Sequence, residues 1–442
     1  MSLNAFDLRI ASTRSRRLFC ATLFIASVLL LARSSLAETG QATVISHQQQ
    51  RAAYEEAFAA YRKARDGFEA ETARYWDTIR AQRIVRRHKR NAGLAIVERD
   101  YVLSQPPVYA GPSEPKMPDF RIAEQTRSGG TLQEATASGP TPTVANFLAA
   151  AKAQYRFVPR ASNEEKYMLA FAREAFSAGL NAEQVVGVYS LETGGLGPYS
   201  RQSGVFTIDN RCRPIPAYGK PASSLALGYV QLLPANTVST AREQEDAIIE
   251  RLTKIAERAP QRQAGELRNK AAVFVRMVGD MNKWLSTYSG PKDDWQEFVA
   301  YGRTRNGLAM HALLLDADIG PSLQVYKLAS IKKFAARNGL RELDSSRLEL
   351  INLVGDGRGL DALSPAAKDA PTANFFGRNG YEGNPVAQGR TAGSLLAKLA
   401  EIIARHKLEC GSKRFFEAFE AANREQSKRA PARPIRARPS QA

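Results

Sequence analysis

Chemistry in this chain points first to Glu192, because of the residues that precede it. Three, four and seven positions back stand Tyr189, Val188 and Val185, so on a helix the carboxyl shares an apolar face. A carboxylic acid held against apolar side chains loses solvation of its ionised form and keeps its proton closer to neutral pH. That is the preparation a general acid needs. A helix-end glutamate bending to solvent is the plain alternative. The helix has its own punctuation: Asn181-Ala182-Glu183-Gln184 has the form of a capping box, and Thr193-Gly194-Gly195 offers glycine for a left-handed end.

A second stretch follows a polar loop: Ala226-Leu227-Gly228-Tyr229-Val230-Gln231-Leu232-Leu233-Pro234-Ala235-Asn236-Thr237. With Tyr189-Ser190-Leu191-Glu192-Thr193-Gly194-Gly195 it resembles the paired signature of the lysozyme-like lytic transglycosylases (SLT-domain family). There a Glu-Ser-Gly segment carries the acid and a Gly-Leu-Met-Gln-x-x-Pro-x-Thr segment lines the sugar groove. The match has departures. Thr193 stands where the family has Ser, Tyr229 and Val230 replace Leu and Met, Asn236 adds a residue before Thr237, and the loop at about 199 to 222 is longer. A third motif, Ala-Tyr-Asn-x-Gly, is echoed faintly by Ala300-Tyr301-Gly302.

The resemblance implies a lysozyme-like transglycosylase domain, and helical spacing along the chain adds a long N-terminal helix and a helical C-terminal extension, so the expected class is mainly α. The resemblance also implies that Glu192 alone protonates the glycosidic oxygen between N-acetylmuramic acid and N-acetylglucosamine in peptidoglycan. The same group, now ionised, then takes the C6 hydroxyl proton as a 1,6-anhydro ring closes. Gly228, Tyr229, Gln231 and Tyr301 would meet the glycan strand, and no metal or organic cofactor is required. A two-carboxylate glycosidase needs a second Asp or Glu at a set separation. The sequence singles out none, although Asp209 in the intervening loop would serve a hydrolytic muramidase. Outside enzymes, the alternative is an inactive peptidoglycan-binding scaffold of an envelope assembly.

Arg14, Arg16 and Arg17 precede an apolar run from Leu18 to Ala32, and Ser35-Leu36-Ala37 offers small residues for a peptidase. Residues 1–37 therefore read as a signal peptide, which places the protein in the periplasm or cell envelope. Losing them removes five arginines and one aspartate, so the formal charge moves from +18 to +14. In an exported protein that surplus suits anionic envelope polymer or membrane surface, and no nucleic acid partner is expected. Cys212 and Cys410 are left, a pair that an oxidising compartment permits to join.

The elements that must position the acid come next. Residues 38–103 form a basic helical region, whose helix at 48–90 repeats Tyr54, Tyr61, Phe68 and Tyr75 every seventh position. It ends in Arg80, Arg83, Arg86, Arg87, Lys89 and Arg90, either a solvated face or a binding surface for wall polymer or lipid headgroups. Residues 104–142 form a Pro/Gly-rich linker. The domain at 143–422 shows helical spacing over 144–155, 163–178, 181–192, 241–258, 266–288, 293–301, 305–315, 321–337 and 341–353. Gly355 to Gly359 reads as a turn, Asp316 to Gly320 as a helix end, and His311 as a hydrogen-bonded core histidine. The run from Asn374 to Pro385 mixes aromatics and amides, which suits sugar stacking or a packed loop. Residues 423–442 carry almost no apolar side chains and read as a disordered basic tail.

Overall fold

Two classes of signal, capping residues and apolar spacing, fix most of the helices in the computed structural model, which describes residues 47–117, 141–196, 206–208, 214–216, 224–290 and 295–429. The described chain is mainly helical. In order it contains α1 (His47–Asn91), α2 (Val144–Tyr155), α3 (Glu164–Ser177), α4 (Ala182–Thr193), β1 (Phe206–Ile208), β2 (Pro214–Pro216), α5 (Pro234–Glu243), α6 (Glu245–Arg258), α7 (Gln261–Thr287), α8 (Gln296–Gly302), α9 (Arg305–His311), α10 (Gly320–Arg337), α11 (Ser345–Val354), α12 (Asp356–Leu363), α13 (Arg378–Glu382), α14 (Ala392–His406) and α15 (Cys410–Arg429). Strands β1 and β2 pair antiparallel, Thr207 opposite Ile215. No helix among the described residues is long and apolar enough to cross a membrane; the apolar run at 18–32 and the proposed cleavage after Ala37 lie outside them.

Differences from expectation have local causes. The helix expected at 241–258 is two, because Gln244 leaves helical geometry and α6 restarts with Glu245 and Asp246 in its first turn. The glycine run at 355–359 is not a turn alone. Gly355, at φ +88°, ends α11, and the next residues form α12. A Cβ on Gly359 would lie 2.6 Å from the Ile351 backbone, so glycine there lets α12 press against α11. Helix α15 runs to Arg429, past the expected tail boundary at 423, because Phe415, Phe419 and Ala422 bury one stripe of an otherwise polar helix. Residues 430–442 lie outside the described set.

The chain divides into two units, and the division falls inside α1. One holds Leu3–Arg74 and Pro107–Gln133. In its described part Tyr109, from the proline-rich segment, packs edge-on against Phe68 (5.3 Å) and Tyr61 (6.4 Å), with the Arg65 guanidinium over Phe68 and Tyr109. Residues 107–117 thus form neither helix nor strand, and Tyr109 packs them against the aromatic stripe of α1.

The other unit holds Tyr75–Pro106 and the chain from Glu134 onward. It has two apolar clusters. The larger gathers α2, α3, α4, α5 to α10 and α15. The smaller joins Trp76 and Ile79 of α1 to Leu191, Leu350, Val354, Phe375, Tyr381 and the apolar face of α14. Here the basic end of α1 departs from a free cationic face. Arg86 is fully buried: it donates to the carbonyl oxygens of Asp100 and Asn374, pairs with Asp361, and lies 4.6 Å from the Tyr101 ring. Arg83 donates to the carbonyls of Ala373, Asn374 and Phe376, Lys89 binds Asp100, and Arg90 binds Asp361. Of the six, only Arg80 and Arg87 are exposed rather than buried or half-buried. The run from Asn374 is correspondingly core rather than a sugar-stacking loop, with Asn374, Phe375 and Phe376 buried under those arginines.

Candidate active site

The acid helix α4 starts as its residues dictate: the Asn181 side chain accepts from the Gln184 amide at 2.8 Å, and the Gln184 side chain accepts from the Asn181 amide at 3.2 Å. It ends at Gly194, which takes the left-handed conformation (φ +68°). Gly195 then runs so close to the α14–α15 junction that a Cβ would lie 2.4 Å from the His406 carbonyl oxygen. His406 Nδ1 donates to the Ser190 carbonyl at 3.1 Å, and the Ser190 and Ser412 hydroxyls meet at 2.8 Å. The C-terminal helices therefore clasp the end of α4; they are part of the site's frame, not an appendage. Cys410, at that junction, is disulfide-bonded; Cys212, the expected partner, lies outside the described residues.

Glu192 is half-buried, and burial pushes its carboxyl up to about 7, moderated by a hydrogen bond from Glu349. Glu349, on α11, is fully buried, and its own pKa stands well above the carboxylate range for the same reason, reinforced by the Glu192 charge. The two helices can approach this closely because α4 has glycine at 187: a Cβ there would sit 2.2 Å from Ser345 Cβ. Five residues on from Gly187 and four on from Ser345, the carboxyls meet.

The second motif closes into a tight turn. Leu227 and Leu232 exchange backbone hydrogen bonds (3.0 and 2.9 Å), with Gly228 at φ +80° and Gln231 at φ +45°. Tyr229 from this turn packs 4.9 Å from Tyr189, one helical turn before Glu192, and also meets Phe171 and Phe415. That contact seats the turn against the acid helix. His311 anchors its other side. Its Nε2 donates to the Leu225 carbonyl at 2.9 Å, so Nδ1 accepts from the Thr237 hydroxyl at 2.8 Å. Burial holds this imidazole neutral, its pKa lowered to about 4.

The expected glycan contacts separate on this geometry. Gly228 is buried, and a Cβ on it would strike Gln324 Oε1 at 2.4 Å. Tyr229 has no exposed surface and its hydroxyl donates to Glu164 at 2.8 Å, while Tyr301 is buried beside Trp284 and its hydroxyl faces Tyr155. Gly228 and Tyr229 support the turn and core, while Tyr301 borders a separate cavity of about 550 Å³ with Trp284 and Arg305 whose wall does not include Glu192. Gln231 keeps a half-exposed side chain, with Nε2 donating to the Gly228 carbonyl at 2.7 Å. Asp209 lies outside the described residues.

Sequence reasoning missed Glu349. Its signal was there: one carboxylate inside the apolar run Leu348-Glu349-Leu350-Ile351. Among the described residues no cluster could hold a metal ion. Two cavities of about 600 Å³ lie elsewhere, one beside Arg251 and Tyr326, the other beside Arg242 and Trp295, and neither has Glu192 in its wall. No family model, curated protein or solved structure matches the chain, so the residues themselves carry the functional argument.

Proposed function

We propose that the protein is an exported lytic transglycosylase that cleaves the glycan strands of peptidoglycan, with Glu192 as both acid and base. The observation that carries this reading is a helix-end carboxyl, partly open to solvent, whose surroundings hold its proton to about pH 7. Glu192 donates that proton to the glycosidic oxygen as its bond to the muramoyl C1 breaks. The C6 hydroxyl then bonds to C1 and returns a proton to the Glu192 carboxylate, so atoms and charges balance and no water is consumed. Gln231, on its left-handed backbone, is the turn residue whose side chain is half-exposed, and it would meet the sugar.

Glu349 does not turn this into a two-carboxylate hydrolase. Such enzymes separate their carboxyls by about 5–9.5 Å, with the sugar or a water between them. A fully buried group in hydrogen-bond contact with the acid has no room for either. The test is digestion of purified sacculi by the protein and by Glu192→Gln, with mass analysis of the products. Anhydro ends, one water lighter than hydrolysed ends, are expected from the first and none from the second. Hydrated ends would favour a muramidase using Asp209, and glycan binding without turnover by either protein would favour a scaffold.

A further inference from the structure

We propose that Glu349 is a positioning residue for Glu192: it stays protonated and donates its O–H to the Glu192 carboxylate, steadying the anion that forms when the acid gives up its proton. The catalytic consequence rests on the transglycosylase reading; the pair itself does not.

The argument begins with what Glu349 lacks. Its side chain is fully buried, its Oε1 has no donor aimed at it, and Oε2 has only Asn352 Nδ2 at 3.4 Å. An ionised carboxylate offers about four acceptor sites and is costly to bury without donors or a cation. As a neutral acid, by contrast, Glu349 needs one acceptor for its O–H, and Glu192 provides it. Charged groups on the surrounding helices are engaged elsewhere. Lys332 of α10 binds the Gly179 carbonyl and Gln184, and Lys407, just past α14, binds Glu183. His406 holds the Ser190 carbonyl, Arg347 of α11 pairs with Asp344 at the surface, and Arg358 of α12 lies near enough to Arg83 to depress it. Among the described residues, none of these acts on either carboxyl. The close approach of α4 and α11 at Gly187 and Ser345 fixes the pair in register, so the contact comes from the backbone packing rather than from one rotamer.

During the reaction both groups begin protonated. When Glu192 protonates the leaving oxygen, the Glu349 O–H is already directed at the new carboxylate, and it remains on Glu349 when the C6 hydroxyl proton returns to Glu192. Because Glu349 has no exposed surface, it cannot touch the glycan. Its loss should therefore lower kcat and leave KM unchanged.

The experiment is an NMR titration of protein labelled with carbon-13 at the glutamate carboxyls, comparing the unmutated protein, Glu192→Gln, Glu349→Gln and Glu349→Leu. A carboxyl titrating at about 7 is expected, absent from Glu192→Gln. In Glu349→Gln, whose amide N–H replaces the O–H, it should stay within about half a pH unit. In Glu349→Leu it should rise by about one to two pH units, a ten- to hundredfold gain in proton affinity, the worth of a lost hydrogen bond to an ionised group. A Glu192 resonance in the ordinary carboxylate range, or one unmoved in folded Glu349→Leu, overturns the proposal. If Glu349→Leu does not fold, the unmutated protein decides, because Glu349 must still hold its proton after Glu192 has ionised, and a Glu349 carboxyl that ionises first overturns the proposal. These titrations without sacculus turnover would keep the pair and sink the transglycosylase reading; anhydro products with an unmoved Glu349→Leu titration would do the reverse.

Discussion

Replacing Glu192 by glutamine should make the protein more stable at neutral pH while leaving it unchanged in mild acid. In the unfolded chain the Glu192 carboxyl ionises near 4.5, whereas in the fold it holds its proton to about 7. Between those values the folded state binds more protons than the unfolded state, so stability falls as pH rises across the window and is level beyond it. At 1.36 kcal/mol per pH unit the span corresponds to about 3 kcal/mol, an upper figure because the side chain touches solvent. His311 works in the opposite sense: buried and neutral, with its pKa lowered to about 4, it adds stability as pH rises from about 4 to 6.5. Glu349, also raised by burial, lowers stability with rising pH in both proteins, so only the difference between variant and parent isolates Glu192. Urea denaturation of both proteins at pH 4.5, 6 and 8 should show a difference near zero at the first and about 2–3 kcal/mol in favour of Glu192→Gln at the last. An equal difference at all three pH values, or a less stable variant at pH 8, would refute the reasoning.

Other consequences can be checked with the same denaturation assay. Gly228→Ala should cost about 2–4 kcal/mol, since φ is +80° and the added Cβ meets Gln324, itself fixed by Tyr167 and Gly320; Gly67→Ala, on open surface of α1, should be neutral or stabilising by up to about 1 kcal/mol. Arg86→Ala should cost about 3–5 kcal/mol, because it strips a buried cation from the Asp100 and Asn374 carbonyls and from Asp361. His311→Gln should remove the loss of stability between pH 6.5 and 4, seen as a shallower acid limb in denaturation midpoints.

By itself the sequence determined α4 almost to the residue, because its start and stop are local chemistry: an Asn-x-x-Gln box and a glycine that tolerates left-handed geometry. The apolar spacing behind Glu192 likewise announced a shielded acid, and α1, α2, α3, α7 and α10 were legible from period alone. What the sequence could not weigh was what lies across from each residue. Tyr229 and Tyr301 have the amphipathic rings of a sugar site, yet tertiary packing buries both. The basic residues of α1 have the composition of a surface cluster, yet carbonyls from around residue 374, nearly 300 positions away in the chain, hold Arg83 and share Arg86, while Asp100 and Asp361 bind Lys89 and Arg90. Glu349 is 157 residues from Glu192, and nothing local pairs them. Only the close helix approach at Gly187 and Ser345 brings the two carboxyls into one apolar seam, and the hydrogen bond between them follows from that packing rather than from either residue's neighbours along the chain.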